Sequence, residues 1–407
     1  MVYLYSSDTS MKIYLSVLLA FLSFSISSQN LQLTDQAEVS LFTIEKGAEL
    51  YDSFGHTAIR IKDPLRGIDA VYNYGGFDFN TPNFYLKFAQ GKLPYTLGRD
   101  ANYQRFLANY KAQNRKITEQ VLQLDTQQKQ EVFNYLENNY KPENRLYLYD
   151  FFYDNCATRP NEVFQSVLKN SLQMDYSHQP ADQTHRDLIY QFVDINSWGS
   201  LGIDIALGAV IDRPASPKEY LFLPEYVQFA FAKARLKTPT GYQALVKQTN
   251  DIYTPVTPLD TSTPFLLSPL FILGLLSILI LYKTYKDYKN KRKISTFDSF
   301  LFFILGLIGV LLILLWFATD HTATKWNYNL LWAFPLQLVA AFVIAKKNPP
   351  QWVYPYMKLQ FILLVFLTFQ WIVGIQAYAL TLIPVLIALA MRYLFILKSL
   401  KDIRDSA

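Results

Sequence analysis

Polar and apolar positions follow two different rules along this chain, and the change falls near residue 260. Before it, apolar residues come in short, interrupted sets. Glu38–Ile44, Thr57–Ile61 and Val71–Tyr74 read as strands, and Arg145–Tyr149 alternates like a fourth. Asn83–Tyr110 and Thr126–Tyr140 carry helical spacing. The segment Tyr147–Pro160, YLYDFFYDNCATRP, predicts a strand end, a turn holding Asp154 and Asn155, and a helix opening near Asn155 and running through Lys169. Pro160 fits such a helix only in its first turn, where its missing N–H costs nothing. After a Pro/Thr-rich stretch, Thr254–Pro264, long apolar runs take over: Pro264–Tyr282, Phe300–Ala318, Leu330–Ala345 and Met357–Met391. The last would be about 52 Å long as one helix at ~1.5 Å per residue. That exceeds one crossing, so it is expected to fold back near Gly374–Gln376, giving five spans in all.

The pattern therefore predicts an α+β domain over 29–262, then an all-α bundle of five transmembrane helices over 263–407. Residues 1–28 read as a signal peptide or N-terminal anchor, with an apolar Ile13–Ile26 behind Lys12 and small residues at Ser25 and Ser27. Charge orients the bundle. Lys283, Lys286, Lys289, Lys291, Arg292 and Lys293 crowd the first loop, Lys346, Lys347 and Lys358 the third, and Arg392, Lys398, Lys401 and Arg404 the tail. Positive-inside places these in the cytoplasm and the N-terminal domain outside, in a bacterial inner membrane. The net charge of +5 is thus topological: outside those segments, 25 basic residues face 29 acidic ones. No basic stripe marks a nucleic-acid surface.

Chemistry narrows to few residues. Cys156 is the only cysteine in the chain, so it has no intramolecular disulfide partner. Placed at a helix start, it would meet the positive end of the dipole, which favours thiolate. Of four histidines, His56 in SFGHTAIRI follows Gly55 and opens a strand. His178 and His185 lie in a stretch that reads as solvated. A cysteine and a histidine far apart in sequence are a common nucleophile–base pattern. Asn73, on the strand after the histidine, is a possible orienter of the imidazole. Ser53, Asp154 and Arg159 are candidates to shape an oxyanion or headgroup site, or simply to cap and pair locally. The loop Asp320–Trp332 carries Asp320, His321, Asn327 and Asn329, which read either as an ordinary polar loop or as a substrate-positioning segment. Asp320–His321 lacks further ligands at metal-binding spacing, and no motif asks for a cofactor.

The phrases YDSFGHTAIR, YNYGGFDF and YDFFYDNCATRP, with DIALG (Asp204 onward) and EYLFLPEY (Glu219–Tyr226), resemble the periplasmic domain of the Lnb-type lipoprotein N-acyltransferase family of Bacteroidetes. TDHTATKWNYNLLW resembles that family's membrane part. The resemblance implies that His56 and Cys156 are the catalytic pair. The order His before Cys further resembles circularly permuted papain-like proteins such as the lecithin:retinol acyltransferase (LRAT) group, a fold-level analogy. The family likeness also implies an acyltransferase with a phospholipid as acyl donor. Its acceptor would be the lipidated N-terminal cysteine of apolipoproteins, and it would need neither metal nor ATP. A periplasmic cysteine hydrolase or peptidase acting on peptidoglycan or lipid, and a non-catalytic membrane scaffold, are the alternatives.

Overall fold

The computed structural model describes residues 31–177, 179–257 and 262–405. The expected signal segment, His178 and part of the linker lie outside these residues. The N-terminal domain is built on a seven-stranded antiparallel sheet. Its strands are β1 (Glu38–Ile44), β2 (His56–Asp63), β3 (Ile68–Gly76), β4 (Pro94–Asp100), β5 (Ile117–Leu122), β6 (Leu146–Leu148) and β10 (Val246–Tyr253). They lie in the order β10-β5-β1-β2-β3-β4-β6, and a small sheet of β7 (Leu172–Gln173), β8 (Arg235–Thr238) and β9 (Gly241–Ala244) stands apart.

Both faces of the large sheet are covered, which explains why β1 is buried along almost its whole length. One face carries Leu41, Ile59, Ile61, Tyr72 and Tyr74. It packs against the helices Thr126–Tyr140, Thr158–Leu168 and Pro224–Lys233. The other face carries Phe42, Ala58 and Val71, and takes Tyr103, Phe106 and Tyr110 from the helix Tyr103–Ala112. Each large apolar side chain buried here contributes ~1.5–3 kcal/mol relative to exposure. In chain order the helices of this domain are α1 (Phe84–Ala89), α2 (Tyr103–Ala112), α3 (Thr126–Tyr140), α4 (Thr158–Leu168), α5 (His185–Tyr190), α6 (Trp198–Ala206) and α7 (Pro224–Lys233).

The expected strands and the helix Thr126–Tyr140 are present. The single helix expected over Asn83–Tyr110 is not. It is broken into α1, β4 and α2. Gly91 has φ +70°, a conformation that ends α1, and Pro94 next denies a helix its N–H. Asn102 then restarts helix by accepting the Arg105 N–H at 3.2 Å.

The C-terminal bundle contains α8 (Pro269–Lys289), α9 (Thr296–Phe317), α10 (Gln337–Ala341), α11 (Val353–Ile372) and α12 (Ile383–Asp405). Among the described residues, four helices are long and apolar enough to cross a membrane. The expected third span, Leu330–Ala345, is not one of them, since its only α-helix is the five-residue α10. The C-terminal ends of α9 and α11 nevertheless both abut the N-terminal domain. The Asp320 N–H donates to the Gln90 carbonyl at 2.8 Å, and the Ala377 N–H reaches Asp212. The chain between them therefore runs the depth of the bundle as a broken segment. Glycines admit it: a Cβ on Gly306 or Gly309 of α9 would overlap the backbone of Leu338 or Ala333. The expected reversal is present at Gly374, with φ +74°.

Arg392 of α12 lies fully buried between Asp298 and Asp287 and ties three helices together. Its place among the basic residues of the tail suggests a solvated charge. Two carboxylates instead pay for its burial.

Candidate functional site

The strands that carry His56 and Asn73, β2 and β3, lie side by side. Gly55, with φ +81°, turns the chain into β2; a Cβ there would sit 2.7 Å from the Ile44 carbonyl oxygen. His56 follows and shares the sheet face of Ala58, so its ring stacks on Tyr110 of α2, with centroids 6.0 Å apart and planes 23° apart. From β3, the Asn73 side-chain oxygen bonds the imidazole Nε2. An oxygen at that position accepts, so Nε2 carries the proton and Nδ1 keeps the lone pair. Between Asn73 and Gly76 the β3–β4 register shifts, and Gly75 adopts φ +96°. This bulge brings the strand against the cysteine: a Cβ on Gly75 would lie 3.5 Å from the Cys156 Cβ.

Cys156 comes from the opposite side of the sheet, just ahead of α4. Asn155 holds that corner. Its side-chain oxygen accepts the N–H groups of Ala157 (2.8 Å) and Thr158 (2.9 Å). Its amide donates to the carbonyls of Phe151 (2.7 Å) and Phe222 (2.8 Å). Asn155 thus holds the turn ahead of the helix, while regular helix begins at Thr158, two residues beyond the cysteine, with Ala157 at its N-cap position and no side-chain cap. The sulfur is met by the backbone N–H of Thr57, the neighbour of His56. Imidazole and thiol therefore converge on one end of the sheet from its two faces.

The electrostatics differ from the expectation of a preformed thiolate. Burial pushes the Cys156 thiol up to about 11, against the pull of two backbone N–H groups and Arg115. Burial also lowers His56 to about 4, opposed by Asn73 and aided by Arg115. The resting pair is neutral at pH 7, because desolvation outweighs the hydrogen bonds and the nearby cation.

Arg115 is a residue that sequence reasoning misses. It is buried, and its guanidinium lies over the Tyr110 ring, 5.2 Å from the centroid. Its Nε donates to the Glu45 carbonyl at 2.8 Å, and its Nη1 to Gln113 (3.1 Å) and Asp52 (3.4 Å). Nη2 is buried without a partner. One arginine among 38 basic residues carries no local signature, so only the fold could single it out.

The other candidates fall elsewhere. Ser53 donates to the Glu49 carbonyl at 2.9 Å, a local turn bond. Asp154 and Arg159 pair with each other, and Arg159 sits 4.5 Å over the Tyr147 ring. His185, expected to be solvated, is 1% exposed and packed on Phe152 and Phe222.

The loop after α9 is a strut between the domains. His321 Nε2 meets the Phe88 carbonyl at 3.2 Å, and Thr322 donates to Asp150 at 2.7 Å. Asn327 donates to the carbonyls of Ile205 (2.8 Å) and Ala206 (3.0 Å), and Asn329 to that of Asp204 (2.8 Å). The loop thus carries Asp320, His321, Asn327 and Asn329 as docking residues and fixes the site's end of the sheet close to the bundle. No group of three or more His, Cys, Asp or Glu side chains among the described residues could hold a metal ion.

Two family models match the chain. Residues 28–191 match the Lnb N-terminal periplasmic domain, and residues 260–402 match the Lnb transmembrane domain. No curated protein and no solved structure matches it. The periplasmic match holds the strands of His56 and Asn73 and the corner of Cys156, and the transmembrane match takes in the four long apolar helices among the described residues, save the last three residues of α12, so this multi-pass membrane protein belongs to the Lnb family.

Proposed function

We propose that the protein is an acyltransferase of the bacterial inner membrane. It would move a fatty acyl chain from a phospholipid, through a thioester on Cys156, to the α-amine of the lipidated N-terminal cysteine of lipoproteins. The observation that carries this reading is the meeting of the Cys156 sulfur and the His56 strand at the Thr57 N–H, on the side of the domain that docks on the bundle.

The steps balance without an outside reagent. The Cys156 sulfur attacks the ester carbonyl, and its proton passes to His56 Nδ1. The S–C bond forms, and the C–O bond breaks as His56 returns the proton to the departing lysophospholipid oxygen. The acceptor amine then attacks the thioester, the N–C bond forms, the S–C bond breaks, and an amine proton travels through His56 back to sulfur. With the thiol near 11 and the imidazole near 4, proton transfer accompanies attack, as general-base catalysis requires. The backbone N–H groups of Thr57 and Cys156, which already converge on the sulfur, are suited to hold the tetrahedral oxyanion. Holding both lipid-anchored substrates in one bilayer raises their effective concentration at the thiol.

The acceptor is tested by mass spectrometry of lipoprotein N-termini from cells with and without the protein, and with Cys156→Ala. Loss of the N-linked acyl chain in both deficient strains supports the reading. An unchanged acylation pattern excludes it.

A further inference from the structure

A surface in the N-terminal domain has no explanation in a water-facing fold. Around α1, Phe77, Phe79, Tyr85, Leu86 and Phe88 are all exposed, Phe79 by 69% and Tyr85 by 81%. These rings form one group with Phe84: Phe77–Phe79 centroids are 5.1 Å apart, Phe79–Phe84 4.9 Å and Phe84–Phe88 6.4 Å. Contiguous exposed apolar patches of this kind mark an interaction surface.

Its position says what covers it. The last residues of α1 and the turn after it are bonded to the strut at the end of a membrane-crossing helix. The Asp320 N–H donates to the Gln90 carbonyl at 2.8 Å, and Gly91 lies against the His321 ring. Asp320 stands three residues past the end of α9, where Trp316 stacks on Phe317 and meets Trp326 at 5.3 Å. Such paired tryptophans belong at the level of lipid headgroups. The α1 patch is therefore continuous with the lipid-facing surface of the bundle at the outer boundary of the bilayer.

A row of rings leads inward from it. Phe77 meets Tyr95 edge-on at 5.5 Å, and Tyr95 stacks on Tyr149 at 4.5 Å. Tyr149 and Cys156 both flank Gly75, at 4.0 and 3.5 Å from the position of a Cβ there. The row thus ends at the thiol.

The geometry points to α1 as an interfacial wedge: its aromatic face lies in the outer leaflet, and Phe77, Tyr95 and Tyr149 line the path by which a phospholipid acyl chain reaches Cys156. The second half of this assignment rests on the acyl-transfer reading; the first half does not. Aromatic rings suit both halves, because they tolerate the headgroup boundary and give an alkyl chain a rigid apolar wall.

The lone cysteine makes the test clean. In full-length Cys156→Ala protein in phospholipid nanodiscs, a spin label is placed at Tyr85→Cys and, as a control, at the half-buried Lys129→Cys of α3, outside the aromatic patch. Collisional relaxation by oxygen and by a water-soluble nickel chelate then reports depth. The wedge predicts that the Tyr85 label is shielded from nickel and open to oxygen, with the Lys129 label the reverse. Equal nickel accessibility at both sites overturns it, as does shielding at Tyr85 that persists in detergent and tracks protein concentration, which would mean a second copy covers the patch. For the path, the same Cys156→Ala protein is irradiated with phosphatidylethanolamine carrying a diazirine in one acyl chain. Adducts on Phe77, Tyr95 or Tyr149 support the path, and adducts confined to α8–α12 overturn it. Neither arm reads catalysis, so a failed acyl-transfer assay and a failed wedge are separate results.

Discussion

Two of the buried arginines are used in opposite ways. In the membrane bundle every nitrogen of Arg392 has a partner: Nε and Nη2 bond Asp298 at 2.6 and 2.8 Å, and Nη1 bonds Asp287 at 2.9 Å. In the periplasmic domain Arg115 is almost as enclosed, yet its one carboxylate contact is long, 3.4 Å to Asp52, and Nη2 has none. The first cluster cancels its charge and serves packing. The second leaves positive potential and a free donor beside Tyr110, His56 and Cys156. A charge that is cancelled where it lies can only hold helices together. One only partly balanced, by the longer contact to Asp52, still acts in a low-dielectric pocket on whatever ionises next to it.

The largest expected break of this contrast comes from Arg392→Met. It strands the buried Asp298, leaves Asp287 with Lys283 alone, and should cost about 3–5 kcal/mol, seen as a lower thermal midpoint of the purified protein, while Cys156 in the surviving folded fraction keeps its reactivity. A midpoint unchanged within error would mean the cluster is not structural. Next, Asn73→Ala removes the acceptor that fixes the imidazole. Losing a buried hydrogen bond of this kind costs about 1–3 kcal/mol, and the expected readout is a roughly tenfold or greater fall in the rate of thioester formation, with the thermal midpoint lowered by several degrees but the protein still folded. Arg115→Gln should leave the fold intact and slow thiol acylation about tenfold, since ~1–2 kcal/mol of Coulomb stabilisation is typical for a cation several ångströms away at an effective dielectric of ~20.

The smallest effect is one of pH. Because the folded thiol lies near 11 and the imidazole near 4, alkylation of Cys156 by iodoacetamide should keep rising from pH 6 to pH 10, without the neutral-pH plateau of a thiolate–imidazolium pair. Arg115 lowers both values, so Arg115→Gln should move the thiol still higher and bring His56 back toward the ordinary imidazole value. A plateau near pH 7 would show that the ion pair forms after all.

Local patterns specify much of the fold. The short apolar set in Glu38–Ile44 and the helical spacing of Thr126–Tyr140 are set by neighbours in sequence, and both elements appear with those bounds. Likewise Gly55 and Gly374 announce turns because few other residues tolerate positive φ. The features that stay hidden depend on long-range contacts. In Asn83–Tyr110 the apolar spacing suits a helix, but β4 lies between β3 and β6, a pairing that outweighs it. Leu330–Ala345 is apolar enough to cross as a helix, yet its backbone lies against Gly306 and Gly309 of α9. The thiol's protonation is hidden for the same reason: the sequence shows a helix start, whereas the raised pKa comes from β2, β3 and Tyr149 closing around the sulfur.

That Cys156 accepts an acyl chain from a membrane lipid, with His56 as its base, is tested most directly by intact-mass spectrometry of the full-length protein after incubation in nanodiscs of a single defined phospholipid. The expected result is one added acyl chain, mapped to Cys156 and released by neutral hydroxylamine, absent in Cys156→Ser and formed far more slowly in His56→Ala. No added mass on the native protein, or the same mass on Cys156→Ser, would contradict it.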